Sequence, residues 1–478
     1  MFSLSNPIIH TANLLWHRSF DAKLGLISAG VAFSGLLAVF PAAAAVIAIW
    51  GFASDPEVIR GDAATGCETT SKGLIFRADY PPKWTGPPHL LCAGPDYTCL
   101  SKAYWRIVMT LGKYCRALCI AALAGATALA PVAASACTSF ILKAENGDIV
   151  YGRTLEFALQ LQSQLVVIPR NLATKAVGPD GTAGSGLAYT TKYGATGANG
   201  LGLPIIVDGI NEKGLAAGML FFPGLAEFQD VAAADAANSI ASYEVVTYIL
   251  TQFATIQEVK DGMPKIKVNR SPQAAFKMAV PIHVTVHDAA GNSLVIEYVA
   301  GALTMTDNPT GVMTNSPEIS WHLGNLAQFA NATAEPVAGF KINGTNFAPW
   351  STGSGMNGLP GDLSSPSRFV RAAFFVANAP TFKDADEGLE ITSHILNQFD
   401  IPPGAVRTSS SGSAGGGVAG YEITEWISGA DLKNGIYQIK TYGNPAIRQV
   451  SLPSADLDAK EIRFIPLDQP PVVTDLSR

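Results

Sequence analysis

Residues 137–478 are predicted to form an α+β domain with helices packed over antiparallel sheets. Two patterns point to it. The short alternating runs TSFILKA, DIVYGRTL, QLVVIP, IHVTVHD and SLVIEYV read as half-buried strands, with NGD, NEKG and AAGNS as turns between them. Apolar residues at helical spacing appear in groups at Ser242–Phe253, Ser367–Asn378 and Leu389–Phe399. The glycine-rich run SSSGSAGGGVAG (409–420) reads as a surface loop: it lacks the lysine of a phosphate-binding loop and no helix signal follows it.

The whole chain has 478 residues, of which 48% are hydrophobic and only 15% charged, an apolar balance for a soluble protein. The net charge is −6 and no basic stripe stands out, which argues against a nucleic-acid partner. Much of the apolar excess lies before residue 137. Residues 24–54 carry no charge between Lys23 and Asp55, enough for the roughly 20 apolar residues that span a bilayer. Arg18 and Lys23 beside them favour a cytoplasmic N-terminus, and this segment is the expected site of any membrane association. Residues 55–108 show no period and are expected to be a disordered linker. His89, Cys92 and Cys99 lie in this stretch, but their spacing matches no standard zinc pattern.

Residues 109–136 have the three parts of a secretory signal peptide. Lys113 and Arg116 are the basic part, Ala117–Leu129 the apolar part, and Ala134-Ser135-Ala136 supply small residues at −3 and −1. Cleavage after Ala136 would make Cys137 the first residue of a periplasmic or secreted chain. Because this signal begins so far into the sequence, translation is expected to start at Met109, with residues 1–108 a fusion remnant or a misassigned start. A second transmembrane helix over 109–136 is the alternative, and it would leave Cys137 unfreed.

The cysteines fit the cleavage reading. Cys67, Cys92, Cys99, Cys115 and Cys119 all precede Cys137, and none follows it. A mature chain starting at Cys137 has one thiol and no internal disulfide. That thiol is either a buried bystander or a reactive group. A cysteine at position 1 carries its thiol beside a free α-amine, whose ordinary pKa of about 7.7–8.0 suits it to move a proton near neutrality. The nucleophile would thus bring its own base. Arg153, on the next strand by pattern, is a cation suited to favour the thiolate.

The residues here resemble a known family. CTSFILKAENGDIVYGRTLEF is similar to the opening of the choloylglycine hydrolase and penicillin V acylase family. The likeness continues through GINEKGLAAGMLFFPG, HDAAGNSLVIEYV, DNPTGVMTNSPEISWHLGNL, GLPGDLSSPSRFVRAAFF and YEITEWISGADLKNGIYQIKTYGNPAIRQVSL, covering nearly all of 137–460. The resemblance implies a four-layer αββα N-terminal-nucleophile hydrolase sandwich that cuts linear amide C–N bonds without a cofactor or metal, assembled as a homotetramer or homodimer. It implies Cys137 as nucleophile with its α-amine as base, Arg153 beside it, Asn315 as an oxyanion-hole donor and Arg368 as a second active-site arginine. Glu156 stands where the family usually has aspartate, one methylene longer, against the α-amine. Phe221 stands where bile-salt hydrolases have asparagine and some penicillin V acylases tyrosine, lending a backbone N–H to the oxyanion hole. Phe221, Met219 and Leu220 are expected to line an apolar acyl pocket. Bile salts, penicillin V and N-acyl homoserine lactones are the candidate small-molecule substrates.

Other readings have their own expectations. His283, His287, His322 and His394 could suggest a Cys–His protease, but no signature around Cys137 supports it, and they are read as structural. Asp362 reads as a turn or cap residue. A lipoprotein would also be cleaved before a cysteine, although Ala134 replaces the usual leucine at −3. An inner-membrane protein working through the N-terminal helix is a further class. Residues SFDAKLGLISAGVAFSGLLAVFPAAAAVIAIWGF are similar to the start of BrkB-type inner-membrane proteins, over a fragment within 1–54 to which no activity is carried.

The cleavage reading predicts that N-terminal sequencing of the purified protein gives Cys-Thr-Ser-Phe. Peptides from residues 1–108 in the active enzyme would contradict it.

Overall fold

A computed structural model describes residues 136–408 and 420–477. The expected membrane-type helix within 1–54, the linker over 55–108, the signal peptide up to Ser135 and nearly all of the glycine-rich run lie outside the described residues. Among the described residues no helix is long and apolar enough to cross a membrane.

In chain order the strands that build the two main sheets are β1 (Cys137–Lys143), β2 (Ile149–Phe157), β3 (Leu165–Ile168), β4 (Ala195–Ala198), β5 (Asp208–Asn211), β6 (Ala216–Phe221), β7 (Ile282–His287), β8 (Ser293–Val299), β9 (Ala302–Asp307), β10 (Val406–Thr408), β11 (Gly420–Asp431), β12 (Ile436–Thr441), β13 (Asn444–Ser451) and β14 (Arg463–Ile465). Among the described residues the α-helices are α1 (Val245–Gln252), α2 (Ile256–Gly262), α3 (Ile319–Leu326), α4 (Ser365–Ala377) and α5 (Ala385–Leu396). One sheet has six strands in the order β1-β2-β11-β12-β13, with β10 beside β11. The other has eight, in the order β9-β8-β7-β6-β5-β4-β3-β14. The pairings within both are antiparallel.

Strand β2 shows how the layers stack. Successive side chains point to opposite faces. Tyr151, Arg153 and Phe157 face the eight-stranded sheet, where they meet Asp208, Val207 and Phe221. Val150 and Gly152 face outward to α5: Val150 packs with Ala385 and Leu389. A Cβ on Gly152 would sit 2.2 Å from the Thr392 methyl, so glycine lets the helix approach. Helices α4 and α5 cover the six-stranded sheet and α1 covers β5 and β6 of the other. The result is the α-β-β-α sandwich expected from the resemblance.

The strands are where sequence predicted them, but β2 and β7 are buried at every residue rather than half-buried. The reason is the layering: a strand between a helix layer and a second sheet has no solvent face. Helices α4 and α5 begin earlier than their apolar spacing suggests, and α1 begins later. Helix α4 starts at Ser365 with Pro366 in its first turn, where a missing N–H costs nothing. Helix α5 starts at Ala385 because the Asp384 side chain accepts from the Glu387 N–H and caps it. Helix α1 follows a 3₁₀ turn over Ser242–Glu244.

Candidate active site

Cys137 opens β1, with Ala136 continuing the strand into the sheet: the Glu156 N–H donates to the Ala136 carbonyl at 2.9 Å. Cys137 and Leu155 are register partners, and so are Ser139 and Arg153. The hairpin therefore carries the Cys137 thiol and Arg153 on facing strands. Arg153 Nη2 lies 3.6 Å from Cys137 Sγ. Cys137 is a buried free thiol.

Arg153 itself is 1% exposed. Its Nη1 donates to the Val207 carbonyl at 3.2 Å and lies 3.5 Å from Asp208 Oδ1. The guanidinium also stands over the Trp426 ring, 5.3 Å from its centroid. Burial works against the charge, but Cys137 and Asp208 outweigh it and hold Arg153 above its ordinary pKa. Asp208 is in turn surrounded by donors. Tyr151 OH donates to Oδ1 at 2.5 Å, and Ser428 Oγ and Tyr437 OH donate to Oδ2 at 2.8 and 2.7 Å. Burial, then the Asp208 charge, push both tyrosines well above their ordinary pKa, so they remain donors. Gly218 makes room for this cluster, since a Cβ there would lie 2.7 Å from Asp208 Oδ1 and from Tyr151 OH.

On the other side, Asn315 and Arg368 hold the Cys137 backbone. The Cys137 N–H donates to Asn315 Oδ1 at 2.6 Å, and Arg368 Nη2 donates to the same oxygen at 2.7 Å. Arg368 Nη1 donates to the Cys137 carbonyl in a short contact and to Thr138 Oγ1 at 2.8 Å. Asn315 Nδ2 donates to the Phe221 carbonyl at 2.7 Å, which leaves one of its two N–H bonds for another acceptor. Phe221 and Asn315 thus meet through the Phe221 carbonyl. Arg368 reaches the site from the first turn of α4, where Asp362 accepts from the Ser364 N–H and Ser367 Oγ, the turn role expected of it.

Glu156 is fully buried, and its Oε1 accepts from Thr424 Oγ1 at 3.1 Å. Burial pushes its carboxyl up to about 8, against the pull of Arg368 and of the Thr154 and Thr424 hydroxyls.

Beside the thiol is an apolar cavity of about 70 Å³, lined by Cys137 and Arg153 together with Leu155, Phe157, Leu161, Leu201, Met219, Phe221 and Phe276 among others. The Phe157 ring meets Phe221 and Phe276 edge-on, at 5.3 and 5.8 Å. Leu220 does not line it. It alternates with Met219 and Phe221 along β6 and so faces away, a correction to the expected pocket set that follows from strand periodicity.

The sequence-predicted Cys137, Arg153, Glu156, Asn315, Arg368, Phe221 and Met219 come together from five separate segments. Sequence reasoning missed Asp208, Trp426, Leu161 and Phe276. Asp208-Gly209 reads as a turn pair, and no local pattern marks an aspartate that anchors a distant arginine. Two of the histidines have structural places: His283 stacks on Phe222 at 4.3 Å, and His322 stacks on Phe369 while bonding the Asn315 carbonyl at 2.9 Å.

Two expectations follow. Asp208→Asn leaves Arg153 buried without its counter-charge and should cost about 3–5 kcal/mol of unfolding free energy, measured by urea denaturation. The second concerns Glu156, whose carboxyl ordinarily titrates near 4.5 and here near 8. Between those values the folded chain keeps a proton that the unfolded chain has lost, so stability falls as pH rises from about 5 to about 8. Glu156→Gln should remove that fall. Thermal melts of the Ala136-containing form across this window should show the variant gaining on the wild type; parallel curves would refute it.

Comparison with known proteins agrees with this architecture. Residues 137–464 match the linear amide C–N hydrolases, choloylglycine hydrolase family. The bile salt hydrolase/transferase of Clostridium perfringens is 30% identical over 332 residues, 68% of this chain and 95% of that protein. The penicillin V acylase of Pectobacterium atrosepticum is 29% identical over 257 residues, 51% of this chain and 60% of that protein. A solved structure of conjugated bile acid hydrolase from Clostridium perfringens superposes with a TM-score of 0.62 at 26% identity, over 71% of this chain and all (100%) of that one. By sequence match, layer order and strand topology together, this chain belongs to the choloylglycine hydrolase family of linear amide C–N hydrolases.

Proposed function

We propose that the chain hydrolyses linear amides with an apolar acyl group through the Cys137 thiolate, acting as an N-terminal nucleophile. The observation that carries this is the position of the thiol: it lines an apolar cavity, with the Arg153 guanidinium 3.6 Å away.

The reaction starts once the Ala136–Cys137 bond has been cut. The freed α-amine takes the place of the N–H that now meets Asn315 Oδ1 and receives the thiol proton. The thiolate attacks the substrate carbonyl, and the oxyanion is met by the remaining Asn315 Nδ2–H, a donor of a kind worth about 3 kcal/mol in the transition state. The C–N bond then breaks, and the departing amine takes the proton from the α-ammonium. A water molecule, giving its proton to the α-amine, attacks the thioester and releases the acid. Arg368 and Asn315 keep the backbone of residue 137 in one position throughout.

Ala136 and Cys137 are 1% and 2% exposed, so a signal peptidase has to act before the domain closes, which fits cleavage during export to the periplasm or beyond. The same burial speaks against a lipid-bearing Cys137. The cavity is small, about 70 Å³, and lined mainly by aliphatic and phenyl groups, with Tyr243 and Gln273 also on its wall. It suits an alkyl or aryl-acyl group better than a fused steroid, and so favours penicillin V or N-acyl homoserine lactones over bile salts.

The test is an amide panel assayed with the matured enzyme. Cys137→Ala should lower kcat by more than about 10³-fold. Penicillin V or an acyl homoserine lactone should exceed glycocholate in kcat/KM by at least about tenfold, a difference of about 1.4 kcal/mol in transition-state binding. Turnover retained by the alanine variant would end the proposal.

A further inference from the structure

Strand β11 runs in register with β2 except at one place. Thr424 pairs with Glu156 and Trp426 pairs with Leu155, so Glu425 is an extra residue without a partner on β2. Such a bulge re-aims the side chains around it. Here both bulge side chains reach the same loop, residues 158–164, which follows β2. The Leu161 N–H donates to both oxygens of the Glu425 carboxylate, at 3.0 Å to Oε1 and 3.1 Å to Oε2. Trp426 Nε1 donates to Ser163 Oγ at 3.1 Å. The loop passes this anchorage on, because the Leu161 carbonyl accepts from the Leu201 N–H at 2.6 Å. Leu201 is held in a left-handed conformation, φ +58°, which a leucine adopts only when its surroundings impose it. Leu161 and Leu201 are both walls of the cavity beside the thiol.

We infer that Glu425 is a positioning residue for acyl-chain selection: from the β11 bulge it fixes Leu161, and through it Leu201, at the width the acyl group must match. This rests on the acyl-pocket reading of the cavity. Glu425 touches neither thiol nor cavity, so its removal acts on binding and selection rather than on the chemistry at Cys137. Burial pushes its carboxyl up to about 7 against the pull of the Leu161 N–H, so the test is run at pH 8.5, where it is ionised.

The experiment measures kcat and KM of the matured enzyme for N-acyl amides of one amine with increasing acyl length, for wild type, Glu425→Ala, Glu425→Gln and Leu161→Ala. Glu425→Ala should raise KM for the preferred acyl length about tenfold, leave kcat within about twofold, and flatten the length preference. Glu425→Gln keeps one acceptor oxygen and should recover much of both. Leu161→Ala should move the preference to longer or bulkier chains. If Leu161→Ala moves the preference and neither Glu425 variant changes KM or selectivity, the inference is overturned and the acyl pocket stands. If Glu425→Ala lowers kcat and Tm alike for every substrate with the preference unchanged, the residue is merely structural and the inference is overturned. A preference indifferent to Leu161→Ala would overturn the pocket reading itself, and the inference with it.

Discussion

The arrangement depends on keeping one positive charge, on Arg153, between two sheets and away from water. At 3.5 Å and an effective dielectric of about 20, its attraction to Asp208 is worth about 5 kcal/mol. Removing the two ions from water costs several kcal/mol each. The pair alone therefore roughly breaks even or loses. What tips the balance is the rest of the cluster: the Val207 carbonyl on the guanidinium, three hydroxyl donors on the aspartate, and the Trp426 face. Those groups come from β2, β5, β11 and β12 and the residue before β5, so the two sheets cannot separate without exposing an unmatched charge. The same cluster leaves Nη2 free to point at the thiol.

This constraint explains the division of labour around Cys137. The thiol is served from the sheet interface, by Arg153. The backbone of residue 137 is served from the helix side, by Arg368 in α4 and by Asn315. The two arginines thus do different things. Arg153 contacts sulfur and makes a field, whereas Arg368 contacts oxygens and fixes a position. Keeping the two tasks on separate layers lets each be rigid, because neither guanidinium has to compromise between a carbonyl and a thiolate.

The sequence revealed the parts of the site that lie on regular elements. Cys137 and Arg153 share a predicted hairpin, Arg368 opens a predicted helix, and Asn315 sits in the quoted TNSP segment. The alternation of β6 could have separated Leu220 from Met219 and Phe221, but the apolar run MLFF hid which residues faced the site. Asp208 was not legible, since its partner is 55 residues earlier on another sheet and Asp-Gly has the look of a turn. Glu425 was not legible either. A bulge is a defect in pairing, and nothing in YEITEW shows that Thr424 and Trp426 pair with adjacent residues of β2. The half-buried reading of the strands failed for the same reason: layer count is a property of the whole fold, and alternation within one segment does not report it.

The departure from the family's usual aspartate at residue 156 can be read physically. With Ala136 attached, the Glu156 N–H is bound to the Ala136 carbonyl, and burial pushes its carboxyl up to about 8. On the proposed reading, cutting the bond removes that carbonyl and creates an α-ammonium next to the same carboxyl. An opposite charge so close favours the carboxylate and draws its pKa back down. In the uncut chain the protonated acid, tied to Thr424, spares the fold a buried charge. The charge that orients the base would thus come into being only together with the base, and the uncut chain would not have to bury it.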